Sequence, residues 1–183
     1  MTIMRILIVP GLNGSGPGHW QTLWEEKYGY ERVEQRDWEN PELVEWVSTL
    51  NAVITANSER TILVAHSLGC LAVAHWSNAY PEKTGKIQSA LMVAPPDVES
   101  SSYIPETLRR FATHNAIPFP SVLVGSENDH YMTLASVRRL AEQWGSRFVN
   151  AGAVGHINLG SGHGLWPEGE AMLKDLILKT QIN

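Results

Sequence analysis

"TILVAHSLGC", Thr61 to Cys70, decides how the rest of the chain is read. Strand-forming residues run through Ala65 and His66 into Ser67, and a helix of small residues opens directly behind it. A lone hydroxyl where a strand stops and a helix starts has two readings. Serine is a common helix N-cap, and capping alone would explain it. Alternatively, the backbone turns sharply at this point and pushes one oxygen into a cleft.

Outward from this stretch, strands and helices alternate along the whole chain. "RILIV" (Arg5 to Val9) is a continuous apolar run, as expected of a strand buried on both faces of a parallel sheet. A glycine-rich turn follows, then "GHWQTLWEEKYG", with Trp20, Leu23, Trp24 and Tyr28 at helical spacing. "ERVEQ" reads as a weak second strand. Asn40 before Pro41 reads as an N-cap with proline in the first turn, opening a helix with Leu43, Trp46, Val47, Leu50 and Ile54 on its apolar face. "TILVA" is the third strand, followed by a helix from Leu68 to Tyr80. "IQSALMVA" and "SVLVGS" are the fourth and fifth strands, and an amphipathic helix covers Thr133 to Trp144. "RFVN" is the sixth strand, and Pro167 opens the last helix, through Lys179.

This alternation implies right-handed crossovers and a six-stranded parallel sheet in a three-layer α/β sandwich, with the order 2-1-3-4-5-6. In that order the winding reverses between strands 1 and 3, and their carboxyl ends flank a crevice. The glycine loop leaves strand 1 and Ser67 leaves strand 3, so the two meet there. No repeat or linker divides the chain, which is read as a single domain, residues 1–183. At this length a chain buries roughly two-thirds of the surface its unfolded form exposes.

Composition narrows the function. The net charge is −5, and the 14 basic residues never run longer than the pairs Arg109–Arg110 and Arg138–Arg139, which argues against nucleic acid. The single cysteine, Cys70, excludes an intrachain disulfide and suits a reducing compartment. "ILIVPGL" is short and reads as a first strand rather than a signal peptide, and no run is long enough to cross a membrane. A cytoplasmic location is expected.

A serine hydroxyl is a poor nucleophile and needs a base, an orienter for the base, and donors for an oxyanion. "AHSLG" (Ala65 to Gly69) is one residue away from the G-x-S-x-G elbow, Ala65 standing where the first glycine would be. The helix start supplies the Leu68 N–H as one oxyanion donor, and Leu12, in the turn after strand 1, is the expected second. In the chain order Ser, acid, His, the acid comes from a loop after a later strand. Asp129 in "GSENDHYM" stands beyond strand 5, with Glu127 as its competitor. Asp97, after strand 4, reads as a solvated loop acid. Among the seven histidines, His156 in "GAVGHINLGSGHG" follows strand 6 in a loop that Gly155 can bend, with His163 as its rival. His66 must point away from the serine's direction, His75 falls within a helix, and His114 and His130 are loop residues. His19, just after the glycine loop, can reach the cleft.

Two other chemistries compete. Neither H-E-x-x-H nor a thiolate set occurs, and His156 and His163 are not at i, i+4, so no metal is expected. The Gly11–Gly16 loop, with Glu34 some twenty residues on, gives a weaker dinucleotide reading. Its order is G-x-x-G-x-G, however, and that reading leaves Ser67, Asp129 and His156 without a role.

"VPGLNGSGPGHWQ", "VAHSLGC", "GSENDHYM" and above all "GHINLGSGHGLWPEG" resemble the retinoblastoma-binding-protein-nine-like family of small α/β-hydrolase-fold serine hydrolases, over nearly the whole chain. The resemblance implies a compact six-stranded core without a large lid, and Ser67, Asp129 and His156 as a triad. With the residues it gives an expectation of acyl transfer to water on small carboxylic esters, with no cofactor, no metal and no nucleic-acid or membrane partner. A low-activity binding protein keeping the same cleft is the alternative.

Overall fold

The computed structural model describes residues 4–181. Its strands are β1 (Arg5–Val9), β2 (Glu31–Arg32), β3 (Thr61–His66), β4 (Ile87–Val93), β5 (Ser121–Gly125) and β6 (Arg147–Asn150). Its α-helices are α1 (Trp20–Tyr28), α2 (Leu43–Thr55), α3 (Leu68–Ala79), α4 (Leu134–Trp144) and α5 (Pro167–Gln181). The strands form one six-stranded parallel sheet in the expected order 2-1-3-4-5-6.

Alternation of side chains along each strand divides the core into two layers. Leu7, Val9, Leu63, Ala65, Ala90, Met92 and Leu123 face α2, α3 and α4, whose Trp46, Leu50, Leu71, Trp76, Leu140 and Trp144 complete that layer. Ile8, Ile62, Val64, Leu91, Val93, Val122 and Val124 face the other way, onto Trp20 and Trp24 of α1 and Leu173 and Leu176 of α5. Every residue of β3 is buried, as it must be for a strand covered on both faces. This is the α/β-hydrolase fold.

Three local expectations are corrected. Asn40 does not cap α2: Glu42 holds the N-cap position without a side-chain cap bond, while the Asn40 N–H donates to Asp37 Oδ1 in a turn that closes before the helix. Strand 2 is shorter than "ERVEQ", although the Val33 N–H still donates to the Ile8 carbonyl at 2.9 Å. Strand 4 stops at Val93, because Ala94 turns into the left-handed region at φ 50°.

Two glycines set the geometry at the crevice. A Cβ on Gly69 would sit 2.3 Å from the Val9 carbonyl oxygen, so only glycine lets α3 start against the end of β1. A Cβ on Gly11 would lie 2.9 Å from the Leu68 nitrogen and 2.9 Å from Ser67 Cβ, so the loop after β1 runs directly against the turn after β3.

Candidate active site

Ser67 occupies the one-residue turn between β3 and α3, at φ 53° and ψ −126°, where an L-residue is strained. It stands at the N-cap position of α3, yet its side chain makes no cap bond. The simple capping explanation therefore fails: the hydroxyl is turned outward. Its partner is His156, whose Nε2 lies 3.0 Å from Ser67 Oγ. On the other side of the ring, Nδ1 is 2.8 Å from Asp129 Oδ2. A carboxylate only accepts, so Nδ1 carries the proton and the Nε2 lone pair faces the serine.

Local structure holds each member in place. The Tyr131 N–H donates to the other carboxylate oxygen of Asp129 at 2.9 Å, and the Tyr131 ring meets the His156 imidazole edge-on at 4.6 Å. Asn128 ties the acid's loop to the histidine's, its Oδ1 accepting from the Gly155 N–H at 2.7 Å and from Ser126 Oγ at 3.0 Å. Gly155 bends at φ 65°, as expected, and Ile157 is also left-handed at φ 48°. Two ring N–H groups fix that unusual backbone. His66 Nε2 donates to the His156 carbonyl at 2.9 Å, and Trp20 Nε1 donates to the Ile157 carbonyl at 2.9 Å. Burial first, then the neighbouring His156 and His19, hold the His66 pKa well below the usual histidine range, so it acts as a neutral donor.

The Leu12 and Leu68 N–H groups have no acceptor among the described residues. Both residues line a cavity of about 380 Å³ over Ser67 and His156, a volume typical of small-molecule sites. Part of its wall comes from Tyr103, Ile104 and Leu108, in the long connection from β4 to β5.

The competitors lie elsewhere. Glu127 accepts from Asn150 Nδ2, and Asp97 turns back onto the Glu99 and Ser100 N–H groups. His163 is bonded to Ser161 Oγ and meets Trp166 edge-on near the start of α5. His75 is bonded to the Phe111 carbonyl, His114 lies between Glu99 and Gln143, and His130 lies by Tyr103. The glycine loop does not open into a helix as a dinucleotide loop does. It forms a short 3-10 turn, Leu12–Gly14, and α1 begins only at Trp20 with His19 as its cap.

Sequence reasoning missed the supporting residues Asn128, Tyr131, Trp20 and His66, and the wall from the β4–β5 connection. Trp20 reads as part of an apolar helical face, and nothing local points to its N–H partner, which lies far away in sequence.

Comparison with known proteins agrees with this picture. A YdeN-like hydrolase from Pectobacterium atrosepticum superimposes with a TM-score of 0.82 at 29% identity, over 98% of this chain and 91% of that one. The ydeN gene product of B. subtilis gives 0.75 at 19% identity, over 96% and 99% of the two chains. A monoacylglycerol lipase from Paleococcus ferrophilus shares the fold, with a TM-score of 0.71 at 15% identity over 94% and 93%. No curated protein matches the sequence. The family model for serine hydrolases matches residues 6–175, nearly the whole chain, and the protein belongs to that family.

Proposed function

We propose that the protein hydrolyses small carboxylic esters through a Ser67–His156–Asp129 triad. The observation that carries this reading is the pair of contacts on one imidazole, 3.0 Å to Ser67 Oγ and 2.8 Å to Asp129 Oδ2. Ser67 Oγ attacks the ester carbonyl carbon as its proton passes to His156 Nε2. The new C–O bond leaves negative charge on the former carbonyl oxygen, which the Leu68 and Leu12 N–H groups stabilise. The intermediate collapses, the bond to the alcohol oxygen breaks, and His156 returns the proton to that oxygen. A water then gives a proton to His156 and attacks the acyl-serine carbon; the bond to Ser67 Oγ breaks, His156 returns the proton to that oxygen, and the acid leaves. Asp129 keeps the Nδ1–H tautomer throughout. The narrower resemblance to retinoblastoma-binding-protein-nine-like hydrolases supports the same assignment.

Among the described residues no helix is long and apolar enough to cross a membrane. The single cysteine, Cys70, suits a reducing compartment, and the cytoplasm is the location proposed for the enzyme.

The test is covalent labelling with a fluorophosphonate, followed by peptide mapping. An enzyme of this kind is modified at Ser67 and at no other serine. A folded protein left unlabelled, as a mere binding cleft would be, contradicts the reading.

A further inference from the structure

Two unlike groups of residues line the cleft over Ser67, and we read them as its two ends. Leu12, Ile104 and Leu108 make one end apolar, continuous with the core layer beneath α2 and α3. The other end forms where the glycine loop meets the loop after β6. There a Cβ on Gly18 would lie 3.5 Å from the Leu159 methyls, and Ser15, His19 and Asn158 line the space. No Lys, Arg, Asp or Glu lines either end among the described residues.

Acyl transfer fixes which end takes which part of the substrate. The leaving alcohol oxygen receives its proton from His156 Nε2, so the alcohol lies at the histidine end and the acyl chain extends toward the apolar end. His19 belongs to the histidine end: the rings of His19 and His66 are 4.8 Å apart, and those of His66 and His156 are 4.9 Å apart. His19 Nδ1 accepts the Gln21 N–H at 3.1 Å, which leaves the single proton of the neutral ring on Nε2. That Nε2–H is buried and has no acceptor among the described residues, while His19 itself is only 6% exposed. Buried donors without partners are rare, and such a group beside a cleft is a point of recognition for a ligand oxygen.

We propose that the site takes uncharged esters joining an apolar acyl chain to an alcohol that bears a second hydroxyl, and that the His19 Nε2–H donates to that hydroxyl. This inference rests on the hydrolase reading above. The absence of charge along the cleft disfavours anionic or cationic substrates, whose desolvation nothing there would offset. Burial, with Arg32, His156 and His163 nearby, lowers the His19 pKa to about 4, so the donor remains neutral through the assay range.

The experiment compares 2-hydroxyethyl butanoate with propyl butanoate, which differ only in a hydroxyl for a methyl. Each kcat/KM is corrected for the ester's hydroxide-catalysed rate. The wild-type protein should prefer the hydroxyethyl ester by about tenfold or more. In His19→Asn the amide oxygen can still cap the Gln21 N–H, but the ring N–H is gone, and the ratio should fall to within about twofold of one. A wild-type ratio near one overturns the proposal whether or not the variant folds, and so does a ratio that survives in a folded His19→Asn. Hydrolysis of 4-nitrophenyl butanoate separates the two readings. Turnover of that ester with no hydroxyl preference removes only this inference, whereas no turnover of any of the three esters removes the hydrolase reading as well.

Discussion

Lowering the pH should destabilise the protein through His19, by an amount the structure allows to be worked out. Burial is the largest cause of its shift, followed by the positive charge of Arg32 and the proximity of His156 and His163, and together they bring its pKa from 6.5 to about 4. In the unfolded chain the same ring titrates near its ordinary value. Between these limits the unfolded state binds the extra proton and the folded state resists it, so stability falls as pH drops. The contribution is full above pH 6.5 and is lost on the way to about pH 4. At pH 4.5 the unfolded ring is protonated by about 100 to 1, while the folded ring is protonated by only about 1 to 3. The difference costs about 2 to 3 kcal/mol relative to pH 7.5. Buried His66 shifts in the same direction and adds to the loss. The assay is urea unfolding at pH 7.5 and 4.5, followed by tryptophan fluorescence, for the wild type and His19→Asn. Asparagine does not titrate, so the variant's stability should drop by about 2 to 3 kcal/mol less between the two pH values than the wild type's does. Equal drops in both proteins would refute the claim that His19 is held neutral by its surroundings.

Other substitutions probe the framework. Gly69→Ala places a methyl 2.3 Å from the Val9 carbonyl oxygen, and because backbone must move, denaturation should show a loss of about 3 kcal/mol or more, with turnover lost as the turn at Ser67 shifts. Trp20→Phe removes the donor to the Ile157 carbonyl; it should cost about 1 to 3 kcal/mol of stability and lower kcat with little change in KM, and unchanged kcat would show that this bond does not position His156. His163 lies outside the cleft lining, so His163→Ala should retain ester turnover within about tenfold, and a dead but folded variant would reopen the choice of base.

The fold was legible because apolar strands alternate with helices of clear period. β3 reads as an unbroken buried run in the sequence and is one in the structure. Boundaries were less legible where tertiary contacts decide them. Asn40 looked like a cap, but Asp37 accepts from its backbone and side-chain N–H groups and holds it in a turn, which the sequence beside Pro41 does not reveal. That Ser67, Asp129 and His156 come together was legible because each stands just beyond a strand at one end of the sheet, where the topology must gather them. Gly155 before His156 also signalled the bend. The second layer of contacts was not legible, since Trp20, His66 and Asn128 act through bonds to distant backbone. Local pattern marks Trp20 only as apolar and His66 only as the serine's neighbour. The wall from Tyr103 to Leu108 has no periodicity to announce it. Its residues become a surface of the cleft only when the connection from β4 to β5 folds over Ser67.

The central claim is that Ser67 and His156 act as one chemical unit, and ester turnover by Ser67→Ala, His156→Ala and the double variant tests it most directly. Each variant is first shown by circular dichroism to be folded, and all are assayed at one pH. Members of a unit fail together, so each single substitution should lower kcat by several orders of magnitude, on the order of 10⁴ to 10⁶, and the double should be no worse than either single. Near-wild-type turnover in folded Ser67→Ala or His156→Ala, or losses that multiply in the double variant, would contradict it.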